Sequence, residues 1–272
     1  MSELEPLAVL REAPAAAWAL PGELRRLYGG DLALPGRCLY ANFVASIDGV
    51  VAIPSLAGSN ALISGKSEAD RFVMGLLRAA ADLVLIGSGT LRASPAGRWR
   101  AETVYPPAAE AYGTLRRELG YEASPRVAIV TASGAIPPEH PVLADSAIVL
   151  TTERGAARLD GELPAVAEIV VLPGEAEVDV RAAVDLLHGR GHGRILSEAG
   201  PHVFGSLVEA ELVDDLFLTV SPLLAGRGDT AFALVEGVTL LPDRTRPALL
   251  RSVRAHGSHL FLHYALSVDV RP

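Results

Sequence analysis

Short, continuously apolar runs recur along the chain at 39–47, 83–86, 127–130, 148–150, 169–172, 195–196 and 216–220. Hydrophobicity that does not alternate suits strands buried on both faces of a sheet. Between the runs lie helical patterns. Ser67-Glu68-Ala69-Asp70 opens one in the manner of a capping box, with Asp in place of the usual Glu, and its core stripe is Phe72, Val73, Leu76, Leu77 and Ala80. A second places Val180, Ala183, Val184 and Leu187 on one face and stops at Gly189. A third starts at Pro201 and buries Val203, Phe204, Leu207 and Val208. Strands alternating with helices predict an α/β, three-layer fold: a mainly parallel central sheet with helices on both faces. The end of the chain differs, since 249–255 and 259–267, joined across His256-Gly257-Ser258, read as an antiparallel hairpin at the sheet edge. Residues 1–36, rich in Pro, Ala and Glu, read as an irregular or partly helical lead-in, and the domain proper as 37–268. With no internal repeat and no long linker, one domain is expected.

Composition narrows the function. Of 272 residues, half are apolar and 21% charged, enough for a substantial core. The longest uncharged apolar stretch, 38–47, falls far short of the roughly 20 residues of a membrane span. Glu3 and Glu5 precede any basic residue, unlike a secretory signal, so a cytoplasmic location is expected. A net charge of −8, without a basic run, disfavours nucleic acid as a partner. The single cysteine, Cys38, cannot form an internal disulfide and reads as core.

In open α/β sheets ligands gather at the carboxyl ends of the strands, and four such junctions carry candidate chemistry. In Asn42 to Gly49, a period of two would set Asn42, Val44, Ser46 and Asp48 on one strand face; the competing reading is a solvated edge strand turning at Asp48-Gly49. Gly87-Ser88-Gly89-Thr90 can aim backbone N–H groups at a phosphate, with Arg92 or Arg98 for charge, or can be a plain connector. Thr131-Ala132-Ser133 is small and hydroxyl-bearing, or an ordinary turn. In Ser197-Glu198-Ala199-Gly200-Pro201, Gly200 ends a strand and Pro201 fixes a first helical turn, giving an anion site suited to a pyrophosphate. Glu198 does not fit a phosphate site. It suits amino or ring N–H groups of a substrate, or is an ordinary surface acid.

Two clusters carry less. His256, His259 and His263 straddle the predicted hairpin with no carboxylate or cysteine nearby in sequence, and no metal is expected. His188 and His192 flank glycines at a helix end, where an imidazolium suits the helix dipole.

Taken in order, the four junctions resemble the reductase domain of bacterial bifunctional riboflavin-biosynthesis deaminase/reductases. Asn42 to Gly49 is similar to that family's N-x-x-x-S-[LI]-D-G strand, Asp70-Arg71 with Ala80-Ala81-Asp82 to its D-R…R-x-x-A-D segment, and Gly87 to Thr90 to its G-x-G-T turn. Ser197 to Pro201 and Leu212-Val213-Asp214-Asp215-Leu216, with Ser221-Pro222 and Gly226, complete the pattern. The resemblance implies a dihydrofolate-reductase-like fold, a homodimer and NADPH as cofactor. It implies reduction of the ribose of a phosphoribosylaminopyrimidine to the ribityl form, with a pterin such as dihydrofolate as the alternative substrate and a non-catalytic NADPH-binding dimer as the alternative class. By the same resemblance Gly87, Ser88, Thr90, Thr131, Ser133, Gly200, Pro201 and His202 would hold the cofactor, and Asn42, Ser46, Ser64 and Arg71 the substrate. Asp48 and Glu198 would be the catalytic acids. The chain departs from the pattern at Val50, Ser94 and Ala199, and no deaminase half is present.

Overall fold

The computed structural model describes residues 4–14, 18–56, 58–226, 228 and 230–266. Ten strands form one sheet: β1 (Ala8–Glu12), β2 (Cys38–Ala45), β3 (Leu83–Gly87), β4 (Arg126–Thr131), β5 (Ile148–Thr151), β6 (Glu168–Val171), β7 (Arg194–Ser197), β8 (Asp215–Val220), β9 (Leu249–His256) and β10 (His259–Ala265). Their order is β1-β9-β10-β8-β2-β7-β3-β4-β5-β6. From β8 to β6 the pairing is parallel; β10 and β9 continue it antiparallel. This is the expected mainly parallel sheet with its C-terminal hairpin. Residues 267 and 268, expected to close the hairpin and the domain, lie outside the described residues.

The hairpin is not the sheet edge. The N-terminal segment supplies β1, which pairs antiparallel with β9. No periodicity announces β1, because all five of its residues are exposed. Buried Arg254 of β9 fastens this segment: it donates to the Tyr28 carbonyl at 2.8 Å, to Ser252 Oγ at 2.7 Å and to Glu12 at 3.0 Å, and stacks on the Tyr28 ring.

Helices are α1 (Gly22–Tyr28), α2 (Ser59–Ile63), α3 (Glu68–Ala80), α4 (Ser88–Ala93), α5 (Ala101–Val104), α6 (Ala109–Glu118), α7 (Glu153–Leu159), α8 (Val180–Gly189) and α9 (Pro201–Glu209). Alternation along β2 sorts the core into two layers. Cys38 and Tyr40 pack with Phe72, Leu76 and Leu77 of α3, whereas Leu39 and Ala41 pack with Leu187 of α8 and Phe204 and Leu207 of α9. The Cys38 thiol is pushed up to about 12, chiefly by burial, so it is a core group. Gly75 is what lets α6 approach α3, since a Cβ there would stand 2.6 Å from the Tyr112 hydroxyl, which donates to the Phe72 carbonyl.

Half of the expected capping box forms. Ser67 Oγ accepts from the Asp70 N–H at 3.2 Å, but the Ser67 N–H goes to the Ser64 carbonyl, and the Asp70 side chain is buried against the sheet instead of returning to the cap. At the other end of α3, Arg116 of α6 donates to the carbonyls of Arg78, Ala79 and Ala81 at 3.2, 3.2 and 2.6 Å. These bonds satisfy the last carbonyls of the helix and fix the turn that carries Arg78.

No helix among the described residues is long and apolar enough to cross a membrane.

Candidate active site

The parallel strands end side by side, so their carboxyl ends form one rim. Pairing of Ala41 with Ser197, Leu85 with Ser197, Gly87 with Val130 and Thr131 with Thr151 sets the four sequence junctions next to one another. Three buried hydroxyls at this rim, Thr131, Ser197 and Ser221, have no hydrogen-bond partner among the described residues. Orphaned buried hydroxyls are costly in a closed core, so their collection here marks a place built for an outside partner.

The first junction departs from expectation. β2 lies between β8 and β7 and is no edge strand, and it ends at Ala45. Gly49, at φ +83°, turns the chain, and the Ser46 hydroxyl closes the turn by accepting from the Val50 N–H at 3.0 Å and donating to Asp48 at 2.6 Å. Asp48 therefore leaves the strand face that holds Asn42 and Val44. Its carboxylate also accepts from the N–H groups of Ala225 and Gly226, at 3.0 and 2.7 Å, clamping the loop after β8 onto the turn. Hydrogen bonds, that from Ser46 foremost, lower its pKa to about 2. Ser64 is buried and donates to the Ala61 carbonyl, while its own carbonyl bonds His259 Nε2 at 2.9 Å. Arg71 is exposed at the start of α3, 3.5 Å from Glu68. Asn42 is half-buried on the α3 side of the sheet.

Glu198 follows β7 and receives a two-bond fork from Arg78: Nε to Oε1 at 2.8 Å and Nη2 to Oε2 at 2.7 Å. A carboxylate oxygen accepts more than one hydrogen bond, so Glu198 keeps acceptor capacity for a ligand while Arg78 fixes its orientation. A cavity of about 470 Å³, lined by Arg78, Ser94 to Trp99, Thr103 and Val104, opens beside the arginine of this pair.

The sequence reading missed Asp70 as a site residue. It is buried, hydrogen-bonded by the Thr219 side chain of β8, and close enough to Glu198, His259 and Arg71 to feel their charges. Burial outweighs the Thr219 bond and raises its carboxyl to about 6. No sequence signal marks it: an acid at the N3 place of a capping box reads as a cap, and the missing return bond appears only in the fold.

On the other flank, Gly87 caps α4 and Gly200 caps α9, neither with a side-chain bond. Gly87 and Gly200 bring the turn and the helix together: a Cβ on Gly87 would meet Val203 at 3.3 Å, and one on Gly200 would lie 3.7 Å from Thr90 Oγ1. The start of α9 thus carries no side-chain cap and lies against the glycine-rich turn, an arrangement of the kind that suits an anion. Ser88 opens α4, and Pro201 and His202 form the first turn of α9, with exposed His202 edge-on to Phe232. Thr131 ends β4, and Ser133 Oγ accepts from the Ala135 N–H at 3.4 Å.

Among the described residues no three His, Cys, Asp or Glu side chains gather as a metal site. His263 bonds buried Asp215 at 2.7 Å, His192 bonds Asp82 at 3.2 Å, and His188 bonds the His192 carbonyl at 2.7 Å.

An open, mostly parallel sheet with polar groups and a glycine-walled helix start at the carboxyl ends of its strands defines a ligand-binding α/β protein of the dinucleotide-site type. The chain belongs to the RibD C-terminal domain family, which matches residues 37–252. It is 27% identical over 194 residues to the 2,5-diamino-6-ribosylamino-4(3H)-pyrimidinone 5′-phosphate reductase of Archaeoglobus fulgidus, spanning 71% of this chain and 83% of that one. To the reductase of the same name from Methanothermobacter thermautotrophicus it is 31% identical over 142 residues, 51% of this chain and 64% of that one. Its fold is shared with a crystal structure of a pyrimidine reductase-like protein from Corynebacterium diphtheriae, with a TM-score of 0.69 at 23% identity over 90% of this chain and 99% of that one.

Proposed function

We propose that the protein is an NADPH-dependent reductase of riboflavin biosynthesis, converting the ribosylamine of 2,5-diamino-6-ribosylamino-4(3H)-pyrimidinone 5′-phosphate to a ribitylamine. The reductase unit is 37–268, with 1–36 as its lead-in, and the working form is a cytoplasmic homodimer. The observation that carries the reading is the pairing, across one rim, of a forked Glu198–Arg78 and a buried Asp70 with a glycine-walled helix start. The substrate follows the names of the two relatives.

Gly87, Ser88, Thr90, Gly200, Pro201 and His202 would hold the cofactor's pyrophosphate, with Thr131 and Ser133 toward its adenosine. When bound, the nicotinamide supplies hydride to C1′ of the ring-opened sugar. Every other task falls to the chain. Glu198, oriented by Arg78, accepts from the pyrimidine's amino and ring N–H groups, and Asn42 meets its edge beside β2. Asp48, with Ser46, holds the 225–226 loop as a wall of the site, while Ser64 holds His259 near Asp70. Arg71 takes the substrate phosphate. One proton must accompany the hydride, and it goes to the imine nitrogen. Asp48, with its pKa at about 2, is a poor donor, whereas Asp70, at about 6, exists in both forms near neutrality.

The test is loss of NADPH absorbance with the diamino phosphate, its deaminated counterpart and dihydrofolate as separate substrates. Turnover of the first, ahead of the other two, is expected. Preference for dihydrofolate would move the chain to pterin reduction, and NADPH binding without turnover on any of the three would make it a non-catalytic binder.

A further inference from the structure

We infer that Arg92 reads the cofactor's 2′-phosphate and thereby sets a preference for NADPH over NADH; this rests on the nicotinamide-cofactor reading above. Arg92 lies on α4, the helix that leaves the glycine-rich end of β3, and its guanidinium crosses to the neighbouring junction, where Nη1 donates to the Ala135 carbonyl at 2.5 Å. The same residue, Ala135, gives its N–H to Ser133 Oγ. One peptide segment thus anchors a cation and a hydroxyl whose hydrogen remains free to donate.

Arg92 is exposed, and among the described residues no carboxylate neutralises it. The arginines that follow it are already engaged. Arg98 and Arg100 both bond Asp145 Oδ2, at 2.5 and 3.0 Å, and Arg98 also bonds the Pro141 carbonyl. Of the two arginines that the sequence offers beside this turn, Arg98 has its charge paired with Asp145, whereas Arg92 has no carboxylate partner among the described residues and keeps Nε and Nη2 beside the Ser133–Ala135 segment. A guanidinium matches phosphate oxygens with parallel charge-assisted hydrogen bonds, whereas a ribose 2′-hydroxyl offers it a single neutral acceptor. The discrimination therefore belongs to the phosphate and not to the adenine or the nicotinamide.

The experiment is a binding titration of the full chain with adenosine 2′,5′-bisphosphate and with 5′-AMP, neither of which requires turnover. Wild type is expected to bind the bisphosphate at least about tenfold more tightly. Arg92→Ala should bring the two affinities within about threefold by weakening the bisphosphate, and Arg92→Glu should reverse the order. An unchanged melting temperature confirms that both variants fold. If the wild-type gap persists in both variants, Arg92 is not the reader and the cofactor reading stands. If wild type binds the two equally, 2′-phosphate selection is absent and the inference falls; if it binds neither, the cofactor reading falls as well.

Discussion

Arg78 and Glu198, 120 residues apart in sequence, meet through two charge-assisted hydrogen bonds with only 11% and 10% of their side chains exposed. The fork joins α3 to the end of β7, so one contact serves both the packing of a helix and the aim of a site carboxylate. Removing one partner of such a pair strands the other. Arg78→Ala is expected to cost about 3–5 kcal/mol in urea unfolding. Glu198→Gln keeps the shape, should cost about 1–3 kcal/mol, and should lower kcat about a hundredfold if the carboxylate acts in the transition state. A rise in KM alone would make Glu198 a pure binding group.

Asp70 should reveal itself through pH. Its carboxyl is raised from 3.8 to about 6, so the native chain binds the extra proton between those values and stability falls as pH rises through them. Above the upper value the buried charge costs up to about 3 kcal/mol. Asp70→Asn should melt higher than wild type at about pH 7 and show no advantage below the unfolded-state pKa, while losing most turnover. A variant that keeps full kcat would remove Asp70 from the proton step.

Much of this was legible from the sequence, and the exceptions have physical causes. Strands such as β3, β4 and β8 announce themselves because burial on two faces demands unbroken apolar runs, and α3 does so by its stripe. Asp70 stayed hidden because its burial depends on Thr219, which only tertiary folding brings near. Asp48 was set on the wrong face because alternation was extrapolated past Ala45, where β2 ends and the chain enters the turn completed by Gly49 at positive φ. Glu198 was readable as an acid out of place, but its partner Arg78 was not, since nothing local links them.

Asp48 should act on the loop and not on the proton. Its pKa is lowered to about 2, so its contribution is present above the ordinary carboxylate pKa of 3.8 and is lost as pH falls through about 2. Asp48→Asn turns an amide toward at least one of the N–H groups of Ala225 and Gly226. Hydrogen exchange at those two amides should quicken and KM for the pyrimidine should rise, with little change in kcat.

Arg71 carries the substrate phosphate in the proposed reading and forms an exposed ion pair with Glu68 in the fold. Exposed pairs of this kind contribute about 0–1 kcal/mol. Arg71→Ala should therefore leave the melting temperature almost unchanged while raising KM for the phosphorylated substrate about tenfold or more. An unaltered KM would place the phosphate elsewhere.

Strand β1 closes the open side of the antiparallel hairpin, and its exposed residues include Arg11 and Glu12 and a register shift between Val9 and Arg11. A charged, irregular strand is a poor template for another chain, whereas the eight-residue β9 behind it is a longer one. A protein cut before Pro14 would lose that cover together with the Glu12 partner of Arg254, and would be expected to stack edge to edge and precipitate although its site residues are intact. The segment that looks most dispensable in the chain is in this sense what keeps the molecule discrete.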